Sequence, residues 1–314
     1  MSTGSTCETA VQVSPGPSSV HPLRRRLNVP APLLCVTAMF AVQLGIAFSR
    51  PLFEPLGVSG ATFLRLAAAA VILLALTRPR LRGRSRRDLA SAGLLGVVSA
   101  GMTLCFAGAV DRLPMGTAAT IEFLGPLAVA LAFARRASHL VWALLAGGGV
   151  ALLTLFGAEG GGDGGSGGLD PAGLGLAFAA AACYAGYILL TDKVGAAFKG
   201  FEGLAVSITV GALVTLPVGI GPALHGLSEA DSPWPLLLAV AGVALLLPVI
   251  PYALEMSALR QLPQRVFSVL VSLEPAVSAL VGLVVLHQVL GVAQLAGIAC
   301  VVIASVGATL ASRR

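Results

Sequence analysis

Ten stretches of apolar sequence, each about as long as a membrane span, follow one another along the chain. They cover residues 31–49, 56–77, 90–109, 114–134, 140–157, 172–191, 203–221, 235–254, 266–286 and 289–311. A helix needs roughly 20 predominantly apolar residues to cross the hydrocarbon core of a bilayer. Only 11% of the residues are charged, whereas soluble domains average about 25%. The sequence therefore predicts an all-α membrane protein with ten transmembrane helices.

Several functional classes are disfavoured by what the sequence lacks. The net charge of +6 is distributed between apolar stretches, and aromatic residues make up only 5% of the chain, so no nucleic-acid partner is expected. The sequence contains neither a phosphate-binding loop nor an H-E-x-x-H motif, and its cysteines form no C-x-x-C pair,. No Asp lies in the body of a predicted span, which argues against an aspartyl protease. We therefore expect that the protein is not an enzyme and that it uses neither a cofactor nor a metal.

The cationic residues between the apolar stretches predict how the chain is oriented. Lys and Arg concentrate in loops on the cytoplasmic side of a membrane. With ten spans, 17 cationic residues fall in one alternating set of segments and only Arg50 and Arg112 fall in the other. The larger set comprises Arg24, Arg25, Arg26, Arg78, Arg80, Arg82, Arg84, Arg86, Arg87, Arg135, Arg136, Lys193, Lys199, Arg260, Arg265, Arg313 and Arg314. Both termini are therefore predicted to be cytoplasmic.

The composition divides the chain into a tail and two halves. Residues 1–30 are rich in Ser, Thr and Pro and are predicted to be a disordered cytoplasmic tail,. Residues 158–169 form a Gly-rich linker,. The linker separates a first five-span half, 31–157, from a second five-span half, 170–311.

A recurrent proline spacing relates the two halves. Pro114 and Pro126 are followed, 149 residues later, by Pro263 and Pro275. Chance coincidence in apolar sequence is the alternative, but paired prolines in corresponding spans favour a true repeat. Because five is an odd number, the second copy would cross the membrane in the opposite sense. Inverted repeats of this kind are common in secondary transporters.

The same prolines predict helix breaks near the middle of the membrane. Gly125-Pro126 and Glu274-Pro275 lie roughly 15–18 Å into the fourth and ninth spans, at 1.5 Å of rise per residue. Proline removes a backbone hydrogen bond and kinks a helix. Transporters form substrate sites at such breaks, although neighbouring helices can also repair a kink without functional consequence. The symmetric pair favours the functional interpretation.

Two acidic residues lie inside predicted spans beside these breaks. Glu122 precedes Pro126 by one helical turn, and Glu274 precedes Pro275 directly. A charged carboxylate in hydrocarbon costs about 3 kcal/mol on insertion scales. Such a group faces a polar cavity, binds a proton, or forms an ion pair between spans. The first two outcomes suit proton-coupled transport, and the third would be structural.

Four further polar residues are candidates for substrate binding or proton coupling. Arg65 could capture a substrate carboxylate through its planar guanidinium group, or equally form a structural ion pair with Glu122 or Glu274. Gln43, Tyr252 and Glu255 are weaker candidates. Tyr252 and Glu255 could instead anchor the chain at the membrane interface.

Several motifs resemble those of the EamA family within the drug/metabolite transporter superfamily, in its threonine/homoserine exporter branch. They are IEFLGPLAVAL at 121–131, PYALEM at 251–256 and EPA at 274–276. The resemblance extends from about residue 33 to residue 311. One departure concerns the position after the ninth span, where the family usually carries Gly-Glu and this chain carries His287-Gln288.

The resemblance implies two inverted five-helix halves around a central cavity and export of small neutral amino acids by proton antiport. The expected partners are a small-molecule substrate, protons and the lipid bilayer, and a homodimer is left open. The composition, rich in Ala, Gly and Arg, suggests a GC-rich bacterial genome. The expected location is therefore a bacterial plasma membrane. Efflux of another metabolite or a drug-like compound is the alternative within transport. An intramembrane enzyme or scaffold is a disfavoured alternative from another class.

Overall fold

The structure, a computed structural model, describes residues 30–79, 84–132, 138–156, 169–198, 201–259, 261 and 264–311. These residues contain helices and connecting turns but no strand, as expected for an all-α membrane protein. The predicted tail up to residue 29 and the Gly-rich linker up to residue 168 lie outside the described residues.

The described residues form thirteen α-helices. They are α1 (Ala31–Ser49), α2 (Phe53–Thr77), α3 (Arg86–Arg112), α4 (Met115–Glu122), α5 (Leu124–Ala132), α6 (Ser138–Phe156), α7 (Pro171–Ala197), α8 (Glu202–Glu229), α9 (Pro233–Ala244), α10 (Ile250–Leu259), α11 (Gln264–Val271), α12 (Glu274–Leu286) and α13 (Val292–Ala311). A short 3₁₀ turn joins α1 to α2, and a π-helical segment, Leu245–Val249, joins α9 to α10.

Six helical stretches of the described residues are long and apolar enough to cross a membrane. They are Ala31–Thr77, Arg86–Arg112, Pro171–Gly195, Glu202–Glu229, Pro233–Glu255 and Val269–Leu286. The first combines α1 and α2, and three further apolar stretches, Met115–Val129, Val141–Leu153 and Val292–Ala308, are shorter. The chain is therefore a multi-span helical membrane protein, and the count of ten spans remains a prediction.

The fourth and ninth predicted spans are each interrupted just before their proline. Phe123 separates α4 from α5, and Ser272 and Leu273 separate α11 from α12. Proline is tolerated in the first turn of a helix, where its missing N–H needs no intrahelical partner. Pro126 and Pro275 accordingly lie within the first turns of α5 and α12, so each interruption precedes its proline by two to three residues.

Helices of the two halves pack against each other throughout the molecule. The most extensive contacts pair α2 with α8, α3 with α7 and α8, α6 with α13, and α1 with α10. Small residues permit this packing, because a Cβ at Gly60 would lie 2.8 Å from the backbone nitrogen of Ala223,. A Cβ at Gly226 would lie closer still to the backbone carbonyl oxygen of Pro55. The α2–α8 contact therefore depends on glycine at both positions.

The sequence departure after the ninth span has a structural role at the end of α12. Gln288 accepts a hydrogen bond through Oε1 from the backbone N–H of Met115, at 2.9 Å, and so caps the first turn of α4,. His287 adopts a left-handed conformation, with φ of 54° and ψ of 30°, as the C-cap residue of α12. Glycine is the usual residue in this conformation because it has no Cβ.

His287→Gly is therefore expected to stabilise the protein by about 1 kcal/mol, since a left-handed residue with a side chain costs roughly that much. Thermal unfolding in detergent should show a higher Tm. The matched control is Val284→Gly, at an exposed position inside α12, which should lower the Tm because glycine is a poor helix former. A lower Tm for both variants would contradict the conformational explanation.

Candidate functional site

One cavity of about 320 Å³ lies between the two halves of the molecule. Helices α1, α2, α3 and α4 contribute to it from the first half, and α7, α8, α10, α11 and α12 from the second. Its polar lining residues are Gln43, Ser49, Thr62, Arg65, Thr103, Glu122, Tyr184, Tyr187, Tyr252, Glu255 and Glu274. The remaining lining residues are mainly apolar, among them Met39, Met102 and Phe106.

All six residues proposed from the sequence for substrate binding or proton coupling line this cavity. Their positions in the sequence are far apart, and they belong to five helices. They are Gln43 in α1, Arg65 in α2, Glu122 at the end of α4, Tyr252 and Glu255 in α10, and Glu274 at the start of α12. The fold thus brings the candidate residues together, while their individual roles remain proposals.

A hydrogen bond connects α1 to α12 across the cavity. Gln43 Nε2 donates to Glu274 Oε1 at 3.4 Å. A carboxylate can only accept hydrogen bonds, so the amide nitrogen faces Glu274 and the amide oxygen is directed elsewhere. Gln43 is 1% exposed, and its Oε1 has no hydrogen-bond partner among the described residues. This oxygen is therefore a buried acceptor available to a ligand.

Arg65 has no counter-ion among the described residues. No carboxylate of the described residues lies within salt-bridge distance of its guanidinium group, neither Glu122 nor Glu274 included. The structural ion pair that the sequence left open is therefore absent from the described part of the chain. A guanidinium group presents several donors in a planar fork that matches a carboxylate. Arg65 can offer that fork to a ligand in the cavity.

The paired prolines affect the backbone of cavity residues that lie one helical turn earlier in the chain. Gly125, Pro126 and Pro275, predicted as helix breaks, are not among the lining residues. Proline lacks the N–H that would pair the carbonyl group four residues before it. Those carbonyl groups belong to Glu122 and Val271, and both residues line the cavity. Gly125 instead allows the carbonyl of Ala181 in α7 to approach α5 closely.

Sequence reasoning missed several polar residues of the cavity. Tyr184 and Tyr187, in α7, pack edge-to-face with ring centroids 6.1 Å apart, and Thr62 lies one turn before Arg65 in α2. Two tyrosines three residues apart in an otherwise apolar span were a usable signal. Phe201, also unpredicted, contacts the ring of Tyr252 at 5.1 Å and helps to hold it at the cavity.

The charges of the cavity are unbalanced. Three carboxyl groups, those of Glu122, Glu255 and Glu274, share it with one guanidinium group. Uncompensated charge in a low-dielectric interior is costly. Bound protons or a cationic group of a ligand would supply the balance.

Ion pairs lie at both ends of α3, a helix that lines the cavity. Arg84 forms an ion pair with Glu202 at 2.8 Å and donates to the carbonyl of Ala197 at 2.6 Å, which ties the start of α3 to the end of α7 and the start of α8. At the opposite end of α3, Arg112 pairs with Asp170 at 3.4 Å. The α3–α7 pair is thus held at two points.

Comparison with known proteins places the chain among transporters. The model of the EamA-like transporter family matches residues 171–310. The threonine/homoserine exporter RhtA of Escherichia coli K12 is 36% identical over 292 residues, which cover 92% of this chain and 95% of that protein. RhtA of Salmonella typhimurium LT2 has the same identity and coverage.

A solved crystal structure of a protein shares the overall fold. Its TM-score is 0.54 at 21% sequence identity, over 90% of this chain and 98% of that one. At this identity the similarity concerns the fold alone.

Proposed function

This chain belongs to the EamA-like transporter family, and we propose on that basis that it exports small neutral amino acids resembling threonine and homoserine in exchange for protons. The relatives of 36% identity are named as exporters of these two amino acids. The single observation that carries the proposal is the cavity that Arg65, without a counter-ion among the described residues, shares with three carboxyl groups.

The polar groups of the cavity match the two charged ends of an amino acid. The guanidinium group of Arg65 binds the α-carboxylate, since bidentate pairs of this kind are among the strong hydrogen bonds. The ammonium group lies between Glu274 and the unpaired Oε1 of Gln43, which are already adjacent through their hydrogen bond. The remaining carboxyl groups, those of Glu122 and Glu255, are then free to exchange protons.

The size of the cavity favours a small substrate. Its volume of about 320 Å³ is at the lower end of the range of roughly 300–1,000 Å³ found for ligand pockets. A large drug-like compound would need the cavity to expand. Transport of another small metabolite with a carboxylate is the alternative function. The counterflow experiment distinguishes it from amino acid export.

Proton coupling is assigned to Glu122. This carboxyl group ends α4, directly before the interruption at Phe123, and it makes no side-chain hydrogen bond within the described part of the chain. A carboxyl group in such a place can take up a proton from one side of the membrane and release it to the other as the cavity changes its opening. A substrate ammonium group in the same cavity would favour the ionised form of Glu122 and hence release of its proton, which couples the two movements as antiport.

Two inverted halves would provide the change of opening. The packing supports this arrangement, because several contacts between the halves occur in matching pairs. The α3–α7 contact corresponds to α10–α1, α3–α8 corresponds to α9–α2, and α5–α7 corresponds to α12–α1, if α7 is the counterpart of α1. The contacts α2–α8 and α6–α13 are then their own counterparts. This pattern is expected of ten spans in two five-helix repeats.

The proposed orientation can be tested at the two ends of α3. Arg87 and Asp111 are both exposed and lie at opposite ends of this helix. In a cysteine-free background, Arg87→Cys should react with a membrane-impermeant thiol reagent only after the cells are permeabilised, because residue 87 is cytoplasmic. Asp111→Cys should react in intact cells. The reverse labelling pattern would contradict the proposed cytoplasmic termini.

The proposed function is tested by counterflow in vesicles that contain the purified protein. Vesicles loaded with unlabelled threonine should take up labelled threonine transiently above the level in the medium. Unlabelled homoserine should compete for this uptake, whereas a carboxylate without an amino group should not. Competition by such a carboxylate would favour the alternative of a different metabolite, and no counterflow of any amino acid would refute the proposal.

A further inference from the structure

Thr62 differs from several other threonines in the described helices. Five of them, Thr77, Thr120, Thr191, Thr209 and Thr215, donate their hydroxyl groups to the carbonyl four residues earlier in the same helix. The hydroxyl group of Thr62 has no partner among the described residues although the residue is 1% exposed. A buried polar atom without a partner is uncommon, and each instance requires an explanation.

The position of Thr62 indicates that a ligand supplies the missing partner. Thr62 lines the cavity, whereas Thr117, whose hydroxyl is also unpaired, does not. Thr62 precedes Arg65 by three residues in α2, so the two side chains lie on the same face of the helix, with about 5–6 Å between their Cβ atoms. A small molecule held at Arg65 therefore lies within reach of the Thr62 hydroxyl.

We infer that Thr62 determines specificity by binding a hydroxyl group on the side chain of the transported amino acid. The inference rests on the proposed function, because it requires an amino acid whose carboxylate is bound at Arg65. In that pose the substrate hydroxyl would lie beside the Thr62 hydroxyl. Two hydroxyl groups can bond in either direction, so one donates and the other accepts.

Selectivity follows from the cost of an unpaired buried group. An amino acid without the hydroxyl would leave the Thr62 oxygen unpaired in the loaded cavity. Sites built to hydrogen-bond a substrate hydroxyl reject analogues that lack it for this reason. For a single neutral hydrogen bond the expected preference is about tenfold.

The test compares threonine with 2-aminobutyrate, which has the same carbon skeleton without the hydroxyl group. Counterflow is measured for both amino acids in vesicles with wild-type protein, Thr62→Val or Thr62→Ser. Wild type should favour threonine by about tenfold. Thr62→Val should lose about tenfold of its threonine transport and retain 2-aminobutyrate transport, while Thr62→Ser should keep the wild-type preference.

Thr215→Val is the matched control. Thr215 is 2% exposed, but its hydroxyl is bonded to the carbonyl of Gly211 and the residue lies outside the cavity lining. This variant should keep the preference for threonine.

The outcomes separate the inference from the function on which it rests. Retained 2-aminobutyrate transport shows that Thr62→Val is folded, so a selective loss of threonine transport supports the inference. Equal loss of both amino acids, as expected if the hydroxyl binds the substrate carboxylate or only supports packing, would overturn it. An unchanged preference in Thr62→Val would also overturn it. Wild-type protein that moves neither amino acid would refute the proposed function and this inference together.

Discussion

Replacement of Glu122 by Gln is expected to abolish gradient-driven transport while leaving exchange of substrate intact. Gln has nearly the size and shape of Glu but cannot release or take up a proton. Vesicles with the variant should therefore show threonine counterflow at a rate near that of wild type. An imposed pH gradient should no longer drive threonine accumulation. The variant should insert normally, because removal of a charge from a span does not hinder insertion.

Glu54→Gln is the control for this experiment. Glu54 is an exposed glutamate in the first turn of α2 and does not line the cavity. Its replacement is therefore the same chemical change at a position outside the site. It should leave both counterflow and gradient-driven accumulation unchanged. Undiminished accumulation by Glu122→Gln would remove Glu122 from the coupling step. Glu274 and Glu255 would then be the remaining candidates for the proton site.

Replacement of Arg65 by Gln should weaken substrate binding by at least about a hundredfold. Two hydrogen bonds from a guanidinium group to a carboxylate would be lost, and each bond to a charged group contributes about 1.5–3 kcal/mol. Arg65→Lys keeps the charge but loses the planar fork, so its loss should be smaller, about tenfold. The concentration of threonine that half-saturates counterflow measures both effects.

Arg112→Gln provides the comparison for Arg65. Arg112 is bonded to Gly108 and Asp170 at the end of α3 and does not line the cavity. Its replacement should leave the half-saturating concentration near the wild-type value. An unchanged half-saturating concentration in Arg65→Gln would show that the guanidinium group does not bind the substrate.

The sequence was sufficient to predict the helical membrane fold and six of the polar residues that line the cavity. Exposure of a polar group to lipid is costly. A residue such as Arg65 or Glu122 inside an apolar stretch is therefore expected to lie in a polar interior that several helices share. This reasoning uses only local sequence. It succeeds because the membrane removes the alternative of exposure to water.

Contacts between distant residues were beyond sequence reasoning. Gln288 caps α4 through Met115, 173 residues away in the chain, and nothing local distinguishes it from a loop residue. The hydroxyl of Thr62 is likewise indistinguishable in sequence from that of Thr215, because whether a helical hydroxyl bonds its own backbone depends on its surroundings in the fold. For Arg65, the choice between an ion pair and a free guanidinium group required the packing of other helices around α2.

The interruptions at Phe123 and at Ser272 and Leu273 lie two to three residues before the prolines that the sequence singled out. Proline marks the span, whereas the carbonyl group that its missing N–H cannot pair lies one turn earlier, at Glu122 and Val271. The π-helical segment Leu245–Val249 separates α9 from α10. It was not predicted, although Pro248 provided the same kind of signal.

Accumulation of threonine against its gradient is the most direct test of amino acid export by proton antiport. Purified protein is placed in vesicles with an acidic lumen, and these are diluted into an alkaline medium that contains labelled threonine. Outward proton flow should drive threonine into the lumen to a concentration above that of the medium, and nigericin, which collapses the pH gradient, should abolish the accumulation. Threonine that only equilibrates across the membrane, with or without the gradient, would contradict proton antiport. Vesicles that take up no threonine would contradict the assigned substrate.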